Sequence, residues 1–368
     1  MSSDDDVLAT HHRHSDFDIP TLLRDKARAL QYLRWHDHIQ RRYSKLAAKP
    51  KDVLKAVPNA LDPISLRPLY PFNIPELPPD TIKHITETQR PSPLQASRLR
   101  ERFIRSKFFL VEIQDIISAG SERGICTVYR CKIISIDNRL VTSSPNLCLK
   151  LFDDRFQVFH ENTQEEVTEV KEEDFSCWLR PLITTESLIT NEILAYNKLQ
   201  PVQGSVVPWF YGAHQFTLPD GTVLYGLLME YIEGQQVKAN IEPALKHERQ
   251  IKMIESCRHA ARILDVGDIG QQDWHDGQIL LYTNPMTQVD HVVLVDFGLT
   301  TQTYEEENLN YIENYCGILR VLLHQNSTLD KGLVWKHFGE PDDWDPVCYL
   351  VGDRIIKAQD MFPFISIS

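Results

Sequence analysis

Lys150, Glu192, Asp273 and Asp296 each occupy a place where a lone charge is costly, and together they supply the parts of a polyphosphate site. Lys150 stands in Cys148-Leu149-Lys150-Leu151. A lysine between apolar neighbours on a half-buried strand costs free energy unless its amine meets an anion. On its own, an edge-strand lysine pointing to solvent is the better explanation of this residue. Glu192 changes that balance. It sits among Leu188, Tyr196 and Leu199 on one face of the next predicted helix, where an unpaired carboxylate is disfavoured, and a Lys150–Glu192 pair would relieve both charges. Asp296 ends the apolar run Val292-Val293-Leu294-Val295, and Asp273 lies just ahead of Ile279-Leu280-Leu281. Moving a phosphoryl group takes a cation on the α- and β-phosphates, carboxylates on magnesium, and a further carboxylate that orients the attacking hydroxyl. The chain offers a candidate for each. Asp276 is a second carboxylate in the same loop, and His275 is a candidate to support Asp273, although a loop histidine is more often structural.

The elements that must position these groups follow from texture. Residues 1–107 read as a Pro-rich, partly irregular extension. Nine prolines from Pro58 to Pro93 disfavour both ladders and helices there, and one helix is expected upstream, from about Ile19 to Leu46. From Phe108 three short runs rich in β-branched and aromatic residues predict strands. Residues 153–183 form an acidic insertion, and Glu186 to Gln200 predict a helix. Two further strands flank Leu218-Pro219-Asp220-Gly221, a strong hairpin signal. Beyond Gly234 the pattern turns helical (Ile251, Ile254, Cys257, Ala261, Leu264), passes through two short strands joined at Asn284-Pro285, and becomes helical again over Ile312 to Leu322.

In this order the chain resembles the protein-kinase-like superfamily over residues 108–324, of the divergent type common in fungi. Asp296-Phe297-Gly298 resembles the metal-chelating DFG motif. Asp273, five residues ahead of Gln278, matches the spacing of the catalytic-loop aspartate and asparagine. Asp273-Trp274-His275-Asp276-Gly277-Gln278 also resembles the Asp-Leu-His-Pro-Gly-Asn loop of aminoglycoside-phosphotransferase-type kinases. The resemblance implies an α+β, two-lobed protein-kinase-like fold: an N-terminal antiparallel sheet lobe with one helix over 108–234, then a mostly helical, shortened C-terminal lobe over 235–368. It implies ATP and Mg²⁺ as cofactors. Gly120, Gly124 and Val128 would cover the phosphates, Lys150 would hold them with Glu192 as its partner, and Glu230 and Tyr231 would meet adenine at the hinge. Asp296 and Gln278 would bind metal, and Asp273 would orient the acceptor hydroxyl. The default acceptor is a protein serine or threonine, with a small-molecule hydroxyl as rival.

Departures from that pattern support a third reading, a catalytically weak pseudokinase acting as a binding or scaffold module. Ala119 to Val128 keep only Gly120 and Gly124 of the glycine loop, in the wrong register. Gln278 replaces asparagine. Gln271 and Gln272 replace the His-Arg before the catalytic aspartate, so a phosphorylated activation loop has no obvious cation to meet. No Ala-Pro-Glu follows Asp296, which implies a reduced or rebuilt peptide-holding subdomain.

Composition bounds the remainder. A net charge of −12 argues against non-specific nucleic-acid binding, which needs a basic surface. No run of eighteen apolar residues is present, and the acidic, His-rich start lacks the apolar core of a secretory signal. The seven cysteines are scattered without a Cys-x-x-Cys pair, as expected for free thiols in a reducing compartment. An intracellular site, cytoplasmic or nuclear, is expected, with ATP and an unidentified hydroxyl acceptor, protein or small molecule, as partners and no membrane or nucleic acid. Oligomeric state is left open.

Overall fold

Local sequence explains where most elements begin and stop. The structure is a computed structural model that describes residues 19–22, 24–40, 48–58, 72, 74–94, 99–118, 125–153, 167–169, 171, 185–237, 247–285, 287–302, 310–323, 329–338, 348–351 and 354–357. Ile19–Leu22 (α1) carries Pro20 in its first turn, where the missing N–H breaks no helical bond, and Lys26–Gln40 (α2) follows. These two form the described part of the expected Ile19–Leu46 helix. Next come Val53–Pro58 (β1), Pro79–Thr88 (α3) and Leu99–Ile104 (α4). The expected β run then forms Phe109–Ser118 (β2), Cys126–Ile136 (β3), Arg139–Leu140 (β4) and Leu147–Phe152 (β5). Thr185–Lys198 (α5) precedes Phe210–Thr217 (β6) and Val223–Glu230 (β7). Gln235–Gln236 (β8), His247–Val266 (α6) and Ile269–Gln271 (β9) lead to the hairpin of Ile279–Thr283 (β10) and Asp290–Leu294 (β11). Thr300–Gln302 (β12), Asn310–Leu322 (α7), Lys331–His337 (α8), Cys348–Val351 (β13) and Arg354–Lys357 (β14) follow among the described residues.

The chain divides into two compact units: Met1–Ser65, Pro93–Thr190 and Phe210–Tyr231 in the first, and Leu66–Ser92, Asn191–Trp209 and Ile232–Ser368 in the second. In the first, the strands run β2-β1-β6-β7-β5-β3, and β3 pairs again with β2, so six antiparallel strands close into a barrel with β4 appended to β3. Closure removes the exposed edges that an open sheet would leave. Register shifts along β2–β3 supply the bends a small barrel requires. Leu54, Ala56, Phe109, Val111, Ile113, Tyr129, Ile133, Leu147, Leu149, Phe216 and Leu228 fill one core with Phe103 of α4. Gly226 faces that core because a Cβ there would lie 2.7 Å from Leu151 Cδ2. The β6–β7 turn forms where Leu218-Pro219-Asp220-Gly221 predicts it, with Gly221 at φ +84° and Asp220 Oδ1 accepting from Thr222 N.

The expected fold is therefore corrected. A two-lobed protein-kinase-like fold, with an N-terminal sheet lobe and a mostly helical shortened C-terminal lobe, is overturned by the closed barrel and by the amount of sheet in the chain. β1 is the physical reason. It lies within the supposed irregular extension, yet it hydrogen-bonds β2 on one side and β6 on the other, and so converts an open sheet into a closed one. Its alternating burial is a genuine two-residue period, but it is only six residues long and stops at Pro58. The second unit is not mostly helical: around α3, α6, α7 and α8 it carries the three-stranded sheet β11-β10-β8 and the pairs β12-β9 and β13-β14. Most of the acidic insertion lies outside the described residues. Among the described residues no helix is long and apolar enough to cross a membrane.

Candidate functional site

On the barrel, β5 directs Leu147, Leu149 and Leu151 into the core, which turns Lys150 to the outer face. Lys150 is nonetheless buried, at 5% exposure, with its Nζ 5.2 Å from the Phe152 ring centroid. It is no solvent-facing edge lysine. Val128 and Leu227 are its register partners on either side, so the structure brings Val128 and Lys150 together. Glu230 is buried at the end of β7, opposite Leu147, and the Arg130 guanidinium lies 5.7 Å from the ring of Tyr231. Gly120 and Gly124 lie outside the described residues.

In the second unit, the loop between β9 and β10 and the turn after β11 are joined through backbone groups. Gln271 Nε2 donates to the Asp296 carbonyl at 2.7 Å, and Gln271 Oε1 accepts from Asp273 N at 3.2 Å. One amide thus ties both candidate carboxylate positions. Gln278, buried at 2% exposure, adds a longer bond from Nε2 to the same Asp296 carbonyl at 3.4 Å. Its Oε1 accepts from His275 N, while His275 Nδ1 accepts from Gly277 N, which closes a capping box over the turn Asp276–Gln278. Val295 N donates to the Gln278 carbonyl at 3.0 Å. Asp296 has φ +68°, the left-handed region that costs a non-glycine residue about 1 kcal/mol, less for aspartate than for most. The clamp on its carbonyl holds it there.

Three further groups support this loop. Asn314 on α7, fully buried, accepts from Gln271 N and donates to the Ile269 carbonyl at 2.6 Å, satisfying the backbone of β9 from within the core. Trp274 packs onto Gly317 of α7 so closely that a Cβ there would overlap the indole. The part of α5 in this unit meets the Asp296 turn: Asn191 Nδ2 donates to the Gly298 carbonyl at 3.1 Å, and Tyr196 stacks edge-on against Phe297 at 5.3 Å. Glu192, one residue beyond Asn191, is fully buried.

The donor chemistry can be tested against Mg-ATP. Among the described residues no group of three His, Cys, Asp or Glu side chains could hold a metal by itself. Magnesium usually takes one or two carboxylates and completes its shell with water and substrate phosphates, and Gln271 ties together the backbone of the two candidate carboxylate residues, Asp273 and Asp296. Gln278 is a weaker ligand, because its amide oxygen already accepts from His275 N.

Elsewhere in this unit, α3 is tied to α6 and β11 by three histidines. Arg90 Nη1 donates to His291 Nε2 at 2.8 Å. Ser256 Oγ accepts from Val292 N and hydrogen-bonds His84 Nε2 at 3.1 Å. Thr81 Oγ1 bonds His259 Nδ1 at 3.0 Å, and His84 stacks on His259 at 4.5 Å. Burial lowers all three, His84 to about 4 and His259 and His291 to about 3, with Arg90 adding to the effect at His291. A surface cavity of about 310 Å³ lies between the start of α6 and the β10–β11 turn, around the Arg249–Asp290 ion pair. It is at the opposite end of that hairpin from Asp273 and Asp296.

Sequence reasoning passed over Asn314, whose partners are more than forty residues away and leave no local signal. It read Gln271 only as a departure from a motif. Gly317 does carry a signal, since glycine inside an apolar helical stripe marks a close approach. No family model matches the chain, and no curated protein matches it significantly.

Proposed function

We propose that this protein is an ATP-dependent phosphotransferase that passes the γ-phosphate to a protein serine or threonine hydroxyl, using a barrel-containing scaffold unlike the one expected from its motifs. The observation that carries this reading is the Gln271 amide, which fixes the backbone of Asp273 and Asp296 together. In it, Asp296 meets the metal, with Gln278 as a second candidate ligand. Asp273, on an exposed loop, orients the acceptor hydroxyl and takes its proton. A magnesium ion arriving with ATP would neutralise charge on the β- and γ-phosphates. Lys150, buried beside Val128 on the barrel, is the candidate amine for the phosphates. Glu230 and Tyr231 are assigned to adenine, and Gly120 and Gly124 to the phosphate-covering loop. A small-molecule hydroxyl is the alternative acceptor.

A binding module that holds nucleotide without turnover is the competing reading. The engaged oxygen of Gln278 favours it, because the second metal then has a poorer ligand. Transfer of radiolabelled γ-phosphate to a panel of peptides and small alcohols decides between them. The phosphotransferase reading predicts transfer by the wild type and its loss in Asp273→Asn and Asp296→Asn. A wild type no faster than those variants on every acceptor leaves only the binding module.

A further inference from the structure

We infer that His275 is a positioning residue for Asp273. This inference rests on the phosphotransferase reading and deepens it. The ring nitrogens of a neutral histidine are not equivalent, and the bond one makes determines which carries the proton. Here His275 Nδ1 accepts from Gly277 N at 3.0 Å, so in the neutral ring the proton is on Nε2. That nitrogen is 4.0 Å from Asp273 Oδ2. The backbone on both sides of the pair is held: Asp273 N donates to Gln271, and His275 N donates to Gln278. At that distance the ring does not hydrogen-bond the carboxylate, and it has to close by about 1 Å to donate to it. Hydrogen bonds of catalytic groups are commonly long before substrate binds and shorten in the complex.

The consequence is chemical. A carboxylate that accepts a substrate proton has two oxygens and a free rotation about its last bond. A donor on Oδ2 stops that rotation and leaves Oδ1 to face the acceptor hydroxyl. His275 touches neither nucleotide nor acceptor in this scheme. It acts through Asp273, while its other nitrogen caps the turn that leads into β10.

The two jobs of the ring can be separated by substitution. His275→Asn keeps an oxygen that can cap Gly277 N but is too short to reach Asp273. His275→Gln restores a donor near the position of Nε2 and gives up the cap. With wild type transferring phosphate, the inference predicts that His275→Asn loses about tenfold or more in kcat, with KM for ATP within about twofold and an unchanged unfolding midpoint. It predicts that His275→Gln recovers part of that kcat. Full kcat in His275→Asn, or a loss in His275→Gln as deep as in His275→Asn, overturns it. A wild type without turnover overturns the phosphotransferase reading instead, and the pairing is then judged by ¹⁵N NMR of the His275 ring in its neutral form. A proton on Nε2 whose signal shifts in Asp273→Asn supports the pairing. A proton on Nδ1, or an Nε2 signal indifferent to that substitution, contradicts it.

Discussion

Gln271 and Asp296 are joined side chain to main chain, Nε2 to carbonyl at 2.7 Å. The loop that carries Asp273 and the turn that carries Asp296 are thereby held as one piece, in the position where the resembling motif has a histidine. The same residue receives its own support from Asn314 through its backbone N–H, so the clamp is anchored in the core of the second unit.

Gln271→Ala removes both side-chain bonds, including the shorter of the two that Gln271 and Gln278 give to the Asp296 carbonyl. Hydrogen bonds of this kind contribute about 0.5–1.5 kcal/mol each. Urea unfolding is expected to show a loss of that size, and the γ-phosphate transfer rate is expected to fall with it. Unchanged stability and unchanged transfer would remove the clamp from the account.

Gly317→Ala places a methyl group where the Trp274 indole lies. Overpacking of this kind costs about 1–3 kcal/mol, and the residue it displaces adjoins Asp273. Trp274 fluorescence should shift and transfer should drop, while α7 itself gains helix propensity. A more stable protein with native Trp274 emission would show that the loop has room to move aside.

Closure of the barrel by β1 is tested at Leu54, which is fully buried between β2 and β6. Leu54→Ala should cost about 2–5 kcal/mol, the range for truncating a packed aliphatic side chain. Val53→Ala, on the exposed side of the same strand, should cost little. Equal small losses at both positions would mean that β1 is not part of the core.

Acid should destabilise both units through their buried histidines. His84 and His214 are lowered to about 4, and His259 and His291 to about 3, each from an ordinary value of 6.5 and each chiefly by burial. In the unfolded chain these rings take up protons as the pH falls below 6.5, while in the folded protein they do so only near 3 to 4. Their contribution is thus complete above 6.5 and lost progressively as the pH falls toward those values. The groups around the α3–α6–β11 cluster are Arg90, Arg258, Arg262 and the acids Asp80, Glu87 and Asp290, and Asp80 is mostly exposed and paired with Arg262. Urea midpoints from pH 7.5 to 4 should decline, and His291→Gln should flatten the decline. A midpoint flat over that range contradicts neutral histidines.

Much of the local structure was legible because it depends on local rules. The Leu218–Gly221 turn, the stripes of α5, α6 and α7 and the β10–β11 hairpin each sit within a few residues of their signal. Spacing singled out Asp273 and Gln278 and a motif resemblance singled out Asp296, but the Gln271 link between the Asp273 loop and the Asp296 turn was not legible. β1 was not, since six residues before a proline gain their meaning only from strands β2 and β6 far along the chain. Asn314 was invisible for the same reason: a polar residue in a helix declares nothing until the edge of β9 lies beside it. Burial of Lys150 was anticipated only through its apolar neighbours, and the barrel that turns it outward was not.

The account stands most directly on calorimetric titration of ATP, with and without Mg²⁺, into the wild type and Asp296→Asn. Magnesium-dependent binding by the wild type, lost or made metal-independent in Asp296→Asn while both proteins unfold at the same midpoint, is the predicted result. ATP binding that is absent from the wild type, or equally magnesium-dependent in both proteins, would contradict it.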